Sequence, residues 1–302
     1  MVRPLSVALA FAFATCVLAP APAQSSKDPD TVRIGMTQSI FVDIPPILVQ
    51  MFAPSFGELT RECSGLGGQM VVGGDAFELS KKLRAHEVDF AVYQGVEFAW
   101  ALQRHDDLVP LMVAINRHRF IKAYLVVRKD SDVTGFADIK GKDIAFPLKS
   151  KEHCRLFLER NCNDCGQCEP KAFFGHMTRP GSTETALDNV CAGRLAAAIV
   201  ENSALENYQS LKPGCAAKLR VAKTSETFPV AAIVYRKGAV SPAVLAKFKE
   251  GMVNANKNDR SRELMNVFQV TAFEPVPADY FQTCADIVRA YPPPEPTKVS
   301  QR

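Results

Sequence analysis

The feature that most constrains this chain is a repeated change of hydrophobic period, from short buried strands to helical stretches and back. Val32–Met36 reads as a buried strand, Pro45–Phe56 as an apolar helical stretch and Gln69–Val72 as a second strand. Asp75 is placed to cap a helix over 76–86, where Leu79 and Leu83 share a face. Val88–Tyr93 is again a strand, and Gly95 turns the chain into a helix over Glu97–Arg104. A β-α-β-α-β rhythm of this kind predicts an α/β fold, with mainly parallel sheets flanked by helices.

The rhythm restarts near Ile121. Lys122–Arg128 is β-rich, Asp143–Phe146 is a strand, His153–Arg160 and Thr183–Gly193 carry helical stripes, and Ala196–Val200 and Phe228–Tyr235 are strands. Beyond Pro242 the pattern is mostly helical. A chain of 302 residues exceeds one ordinary core, so two lobes are expected. Lys and Arg exceed Asp and Glu by 36 to 32 with no basic run, which argues against a nucleic-acid partner. No nucleophile elbow, Gly-rich phosphate loop or His-rich metal motif occurs, and the chain reads as a non-enzyme without a cofactor.

The first 23 residues have a separate purpose. Arg3, the apolar run Val7–Leu18 and the small residues Ala21-Pro22-Ala23 have the layout of a secretory signal peptide. Export bears on the nine cysteines. Cys16 leaves with the signal, and Cys63, Cys154, Cys162, Cys165, Cys168, Cys191, Cys215 and Cys284 remain. In an oxidising compartment an even set of eight is expected to form disulfides, although spacing alone leaves 105 pairings open. Four of them form a Cys-rich segment over 154–168, for which zinc binding or redox chemistry are the alternatives. His153 beside Cys154 is poor geometry for a base and nucleophile, since neighbours on a helix point apart. The Pro-rich tail, 292–302, is expected to be disordered.

Several strings arrive in an ordered series. They include Arg33-Ile34-Gly35, Val88-Asp89-Phe90-Ala91, Gln94-Gly95-Val96-Glu97-Phe98 and Tyr124-Leu125-Val126-Val127-Arg128. Asp138-Ile139-Lys140-Gly141-Lys142, Gly181-Ser182-Thr183-Glu184-Thr185 and Gly193-Arg194-Leu195-Ala196 follow. In order and spacing the chain resembles the phosphate/phosphite/phosphonate-binding (PhnD-like) periplasmic solute-binding proteins over about residues 31–290. The resemblance implies a two-lobed, type II periplasmic binding fold. Lobe one would be 31–119 plus 240–291, and lobe two 120–239.

It also implies a small polar ligand in the cleft between lobes, and delivery of that ligand by a monomer to an inner-membrane ABC permease. An accessory or sensor module of a periplasmic redox or cofactor system is the alternative role. Carried over by position, the ligand-binding candidates are Tyr93 and Gln94 after one strand, Ser150, Lys151 and Glu152 in a loop, Thr183 and Glu184 at a helix start, and Glu201 after another strand. Ser225–Pro229, Phe41 and Asp43 are weaker candidates. So many carboxylates suit a zwitterion or organic cation as well as an oxyanion such as phosphonate or phosphate.

Overall fold

A computed structural model describes residues 31–166 and 169–294. The expected signal peptide, Cys168 and the tail from 295 onward lie outside the described residues. β1 (Thr31–Met36) leads to α1 (Pro46–Ser64), β2 (Gly67–Val72), α2 (Ala76–Arg84), β3 (Phe90–Tyr93) and α3 (Gly95–Leu102). β4 (Leu108–Ile115) and the short β5 (Phe120–Ile121) carry the chain to a second sheet. There follow β6 (Ala123–Arg128), β7 (Ile144–Ala145), α4 (Glu152–Asp164), α5 (Pro170–Phe173) and β8 (Met177–Thr178). Next come α6 (Thr183–Cys191), β9 (Ala197–Glu201), α7 (Asn202–Leu211), α8 (Pro213–Ala216) and β10 (Leu219–Thr224). The chain closes with β11 (Phe228–Pro229), β12 (Ala231–Arg236), α9 (Pro242–Val253), α10 (Asp259–Val267), β13 (Ala272–Glu274) and α11 (Tyr280–Ala290).

The strands form a six-stranded sheet ordered β13-β4-β12-β3-β1-β2 and a five-stranded sheet ordered β10-β6-β9-β7-β8. Each is the centre of one lobe of an α/β fold, with apolar cores on both of its faces. β5 and β11 pair antiparallel, outside both sheets, where the chain passes from one sheet to the other. The sheets are mixed rather than mainly parallel. β1 pairs parallel with β2 and β3, and β7 with β8 and β9. Strands next to the crossings, β4, β6 and β12, pair antiparallel because the chain enters and leaves through them.

Two expectations shift for the same reason. Phe228–Tyr235 is not one strand: it breaks at Val230, where the chain changes sheets. β12 therefore belongs to the first sheet, and the return crossing comes before residue 239. Part of the Cys-rich segment over 154–168 packs in the core of lobe two. Cys154 and Cys162 lie on the inner face of α4, in the core of lobe two with Phe157 and Leu158.

Local chemistry explains the element ends that matter for the site. Asp75 accepts hydrogen bonds from the N–H groups of Phe77 and Glu78, each 2.8 Å, a cap worth about 1 kcal/mol. α1 runs on through Pro54 to Ser64 and stops at Gly65, whose φ of 65° closes the helix in the left-handed region. Gly95 opens α3 tightly against the crossing, where a Cβ would collide with the carbonyl of Pro229. Among the described residues no helix is long and apolar enough to cross a membrane.

Candidate functional site

Strands of an open α/β sheet deliver ligand-binding groups at their carboxyl ends, where the following helices begin. In this chain three such ends carry a glutamate. Glu97 lies in the first turn of α3, Glu152 opens α4, and Glu201 ends β9 just before α7. All three are largely removed from water.

On the lobe-one side, the turn after β1 supplies hydroxyls. Thr37 Oγ1 donates to Glu97 Oε2 at 2.6 Å, and the Gln94 N–H donates to the same oxygen at 3.1 Å. Ser39 also bonds to Glu97 and sits 3.1 Å from Thr37 Oγ1. Burial raises the Glu97 carboxyl to about 7. The hydroxyls of Thr37 and Ser39 pull it down, and the charge of Glu152 from the other lobe pushes it further up. Among the described residues no cation pairs with Glu97.

The lobe-two side is built differently. Lys151 Nζ lies 3.0 and 3.2 Å from the two oxygens of Glu201, and Ser203 Oγ donates to Glu201 at 2.9 Å. Burial acts to raise the Glu201 carboxyl, but Lys151, His153 and Ser203 outweigh it and hold it below its ordinary value. His153 is fully buried, 3.9 Å from Glu201 and in ring contact with Phe228. Burial lowers its imidazole to about 4, so it is neutral at ordinary pH. Glu152 is held by Arg155, which also grips Glu159 at 2.5 Å.

Asp43 makes one of the contacts between the lobes, alongside those of His118 with Glu206 and of Arg117 with Asn207. Asp43 accepts from the backbone N–H of Lys149 at 2.9 Å and from Arg179 at 2.5 Å. Asp43 and Lys149 both take φ of 60°, an uncommon conformation for such residues.

Against this geometry the sequence candidates divide. Gln94, Ser150 and Lys151 line one cavity together with Ser39 and Asn116. Glu201 adjoins it through Lys151, whereas Glu152 does not line it and acts on Glu97 by its charge. Ser150 turns its hydroxyl to the carbonyl of Pro147. Tyr93 is not a cleft residue. Its side chain is fully buried in lobe one, where its hydroxyl meets Ser80 Oγ at 3.0 Å and burial raises its pKa. The inward face of β3 directs it there.

Thr183 and Glu184 open α6, where Ser182 rather than Thr183 makes the capping bond, and the charge of Glu184 bears on Lys212. No described contact joins either residue to the cavity. Of the weaker candidates, Phe41 lines the cavity, Asp43 bridges the lobes, and Ser225 bonds to the Ala123 N–H beside the crossing.

Sequence reasoning missed Thr37, Ser39 and Glu97. The last hid between Val96 and Phe98 in an apolar helix. The available signal was a carboxylate three residues after Gln94 at a helix start, a position that faces back toward the N-terminal N–H groups.

The cysteines do not bond to one another among the described residues, and no described group of three His, Cys, Asp or Glu residues could hold a metal ion. Cys191 and Cys215 do meet. The hydrogen bond between their thiols, with burial, raises the Cys191 pKa.

The family model described as "ABC transporter, phosphonate, periplasmic substrate-binding protein" matches residues 44–281. The chain belongs to this family. A periplasmic substrate-binding protein of an ABC transporter captures rather than converts its ligand, so the cleft is a binding site and not an active site.

Solved structures share the fold at low identity. The binding protein resembles XAC2383 from Xanthomonas citri bound to ATP, with a TM-score of 0.57 and 17% identity over 86% of this chain and 96% of that one. It also resembles PhnD1 from Prochlorococcus marinus in complex with methylphosphonate, with a TM-score of 0.57 and 15% identity over 87% and 98%. A binding protein component of an ABC phosphonate transporter (PA3383) from Pseudomonas aeruginosa matches with a TM-score of 0.51 and 16% identity over 83% of each chain. No curated protein matches the chain in sequence.

Proposed function

We propose that this binding protein captures a small zwitterion, carrying an amine and an acid group such as a phosphonate, and passes it as a monomer to an inner-membrane ABC permease. One observation carries the reading. Glu97 is a buried carboxylate held by neutral donors and faced by a second carboxylate, Glu152. A buried charge with no counter-ion is costly, and an ammonium supplied by the ligand removes that cost. The acid group is suited to the Ser150–Lys151 loop, where the free N–H groups at the start of α4 favour an anion. The phosphonate class is supported by the family and by the methylphosphonate complex of PhnD1.

Calorimetry with 2-aminoethylphosphonate and ethylphosphonate between pH 5.5 and 8.5 tests this. Each affinity is referred to the dianion of its own ligand, because the ammonium of 2-aminoethylphosphonate makes its phosphonate more acidic than that of ethylphosphonate. Preference for the amine is expected to grow as pH rises through about 7, where Glu97 ionises, and to vanish in Glu97→Gln. A preference for ethylphosphonate across the range overturns the zwitterion.

Within the same reading, residues 1–23 direct export, 31–119 with 240–291 and 120–239 mark the lobes to within the shift of β12, and an oxidising compartment acts on the thiols. We infer that Cys191 and Cys215, already in contact, close to a disulfide after export. Two thiols lose two protons, and their two electrons pass to a disulfide-exchange oxidant of the periplasm. Mass spectrometry of non-reduced peptides from exported protein reads the outcome; two free thiols at these positions would refute it.

A further inference from the structure

α1 is buried unevenly. Its second half seats Phe56, Leu59, Thr60 and Ser64 against the sheet, whereas in its first half Val49 is buried but Ile47, Leu48 and Met51 are 64, 41 and 65% exposed. Between that first half and the sheet lies a cavity of about 340 Å³. Its walls are apolar, formed chiefly by Phe41, Phe52, Phe56, Phe248, Met252 and Phe268. At its mouth are Gln94, Ser150 and Lys151, the polar groups of the candidate site. Pro54 stands where the two halves of α1 meet; with no N–H to give, it leaves the helix ladder weaker there.

We propose that the ligand is amphipathic: its polar head lies at the cleft and an apolar tail fills the cavity beneath α1. This rests on the zwitterion reading for the head only. A dry apolar void deprives every lining atom of packing partners. A pocket that is mostly apolar with a few convergent polar groups at one end is the usual form of a small-molecule site, and this volume is within that range. It is about twice the ~150 Å³ cavity that accommodates one benzene. The tail is therefore on the order of a medium alkyl chain or a pair of rings. The mouth and the cavity are one continuous space, so a single molecule reaches both.

The experiment is calorimetry of the mature chain with 1-aminoalkylphosphonates bearing methyl, butyl, hexyl and octyl chains. Affinity is expected to rise by about threefold to fourfold per buried methylene until the cavity is full. Ala114, on β4 in the cavity wall, becomes the filling variant Ala114→Leu, which is expected to flatten that rise. Urea denaturation of the variant checks that it folds, and the wild-type series decides alone if it does not.

Equal affinity for all four chains keeps the head reading and overturns the tail. If no member binds, the head reading fails, and the tail is then judged with 8-anilinonaphthalene-1-sulfonate on the same protein. Fluorescence enhancement that is lost in Ala114→Leu supports an apolar site, and its absence in the wild type overturns one.

Discussion

Glu97 and Glu201 stand in opposite lobes, each buried near the start of a helix, and they ionise in opposite directions. Desolvation raises both. Around Glu97 the compensation is a pair of hydroxyls and an N–H, and the carboxyl stays near 7. Around Glu201 the compensation includes a lysine at 3.0 Å, and the carboxyl falls below its ordinary value. Lobe two neutralises its own acid before any ligand arrives. Lobe one does not, and the cleft therefore has one wall that is electrostatically complete and one that awaits a partner.

Breaking the completed wall should have the largest effect. Lys151→Met leaves Glu201 buried with only Ser203 and a neutral His153. Removing one member of a buried pair costs about 3–5 kcal/mol, and Lys151 is partly exposed, so the lower end is expected. Urea denaturation at pH 7.5 measures it. The double variant Lys151→Met with Glu201→Gln should recover most of the loss; failure to recover would mean that Lys151 acts through packing.

The pH dependence of stability separates the walls next, on the order of 3 kcal/mol for each group. Glu97 has a higher pKa folded, about 7, than unfolded, so the native state holds more protons between about 4.5 and 7. Its contribution is fully present below about 4.5 and fades as pH rises through 7. His153 is the reverse case. Its imidazole is lowered to about 4 folded against 6.5 unfolded, so the unfolded state holds more protons in that interval and stability falls as pH drops from 6.5 toward 4.

The two slopes oppose each other in the wild type. Glu97→Gln should expose the acid-side loss due to His153, and His153→Phe the alkaline-side loss due to Glu97. Urea midpoints from pH 4.5 to 8 read both, and parallel profiles for the two variants would contradict the assignment.

The same contrast explains what the sequence could tell. Alternating periods revealed both lobes, since buried strands such as Phe90–Tyr93 and Ala197–Val200 must be apolar on both faces. Lys151, Glu152 and Glu201 came to notice through the positions the family resemblance assigns, a loop after β7 and the end of β9. Glu97 was not, because burial surrounds it with Val96 and Phe98, the same pattern a core helix shows. Tyr93 misled for the complementary reason. A tyrosine at a strand end has a polar tip that suits a ligand, yet here the tip is satisfied internally by Ser80. The mixed direction of the sheets was hidden because strand periodicity carries no sign of direction. Likewise, nothing in the apolar run Pro45–Phe56 shows that Ile47, Leu48 and Met51 face away from the core.

The smallest expected effect on stability is at one of the links between the lobes, the pair of Asp43 and Arg179. Asp43 is 26% exposed in its side chain and Arg179 37%, so their ion pair is worth at most about 1 kcal/mol to folding. Its consequence for binding differs, because the pair joins the lobes directly and Asp43 also takes the N–H of Lys149. If closure depends on these bonds, Asp43→Ala lowers the fraction of molecules in the binding-competent form, and the apparent affinity falls by that fraction. A loss of about threefold to tenfold in ligand affinity is expected, with an unfolding midpoint nearly unchanged. Small-angle scattering of the ligand-free variant should show a larger radius of gyration than the wild type, and saturating ligand should remove the difference. An affinity loss with no change in scattering would place Asp43 in contact with the ligand instead.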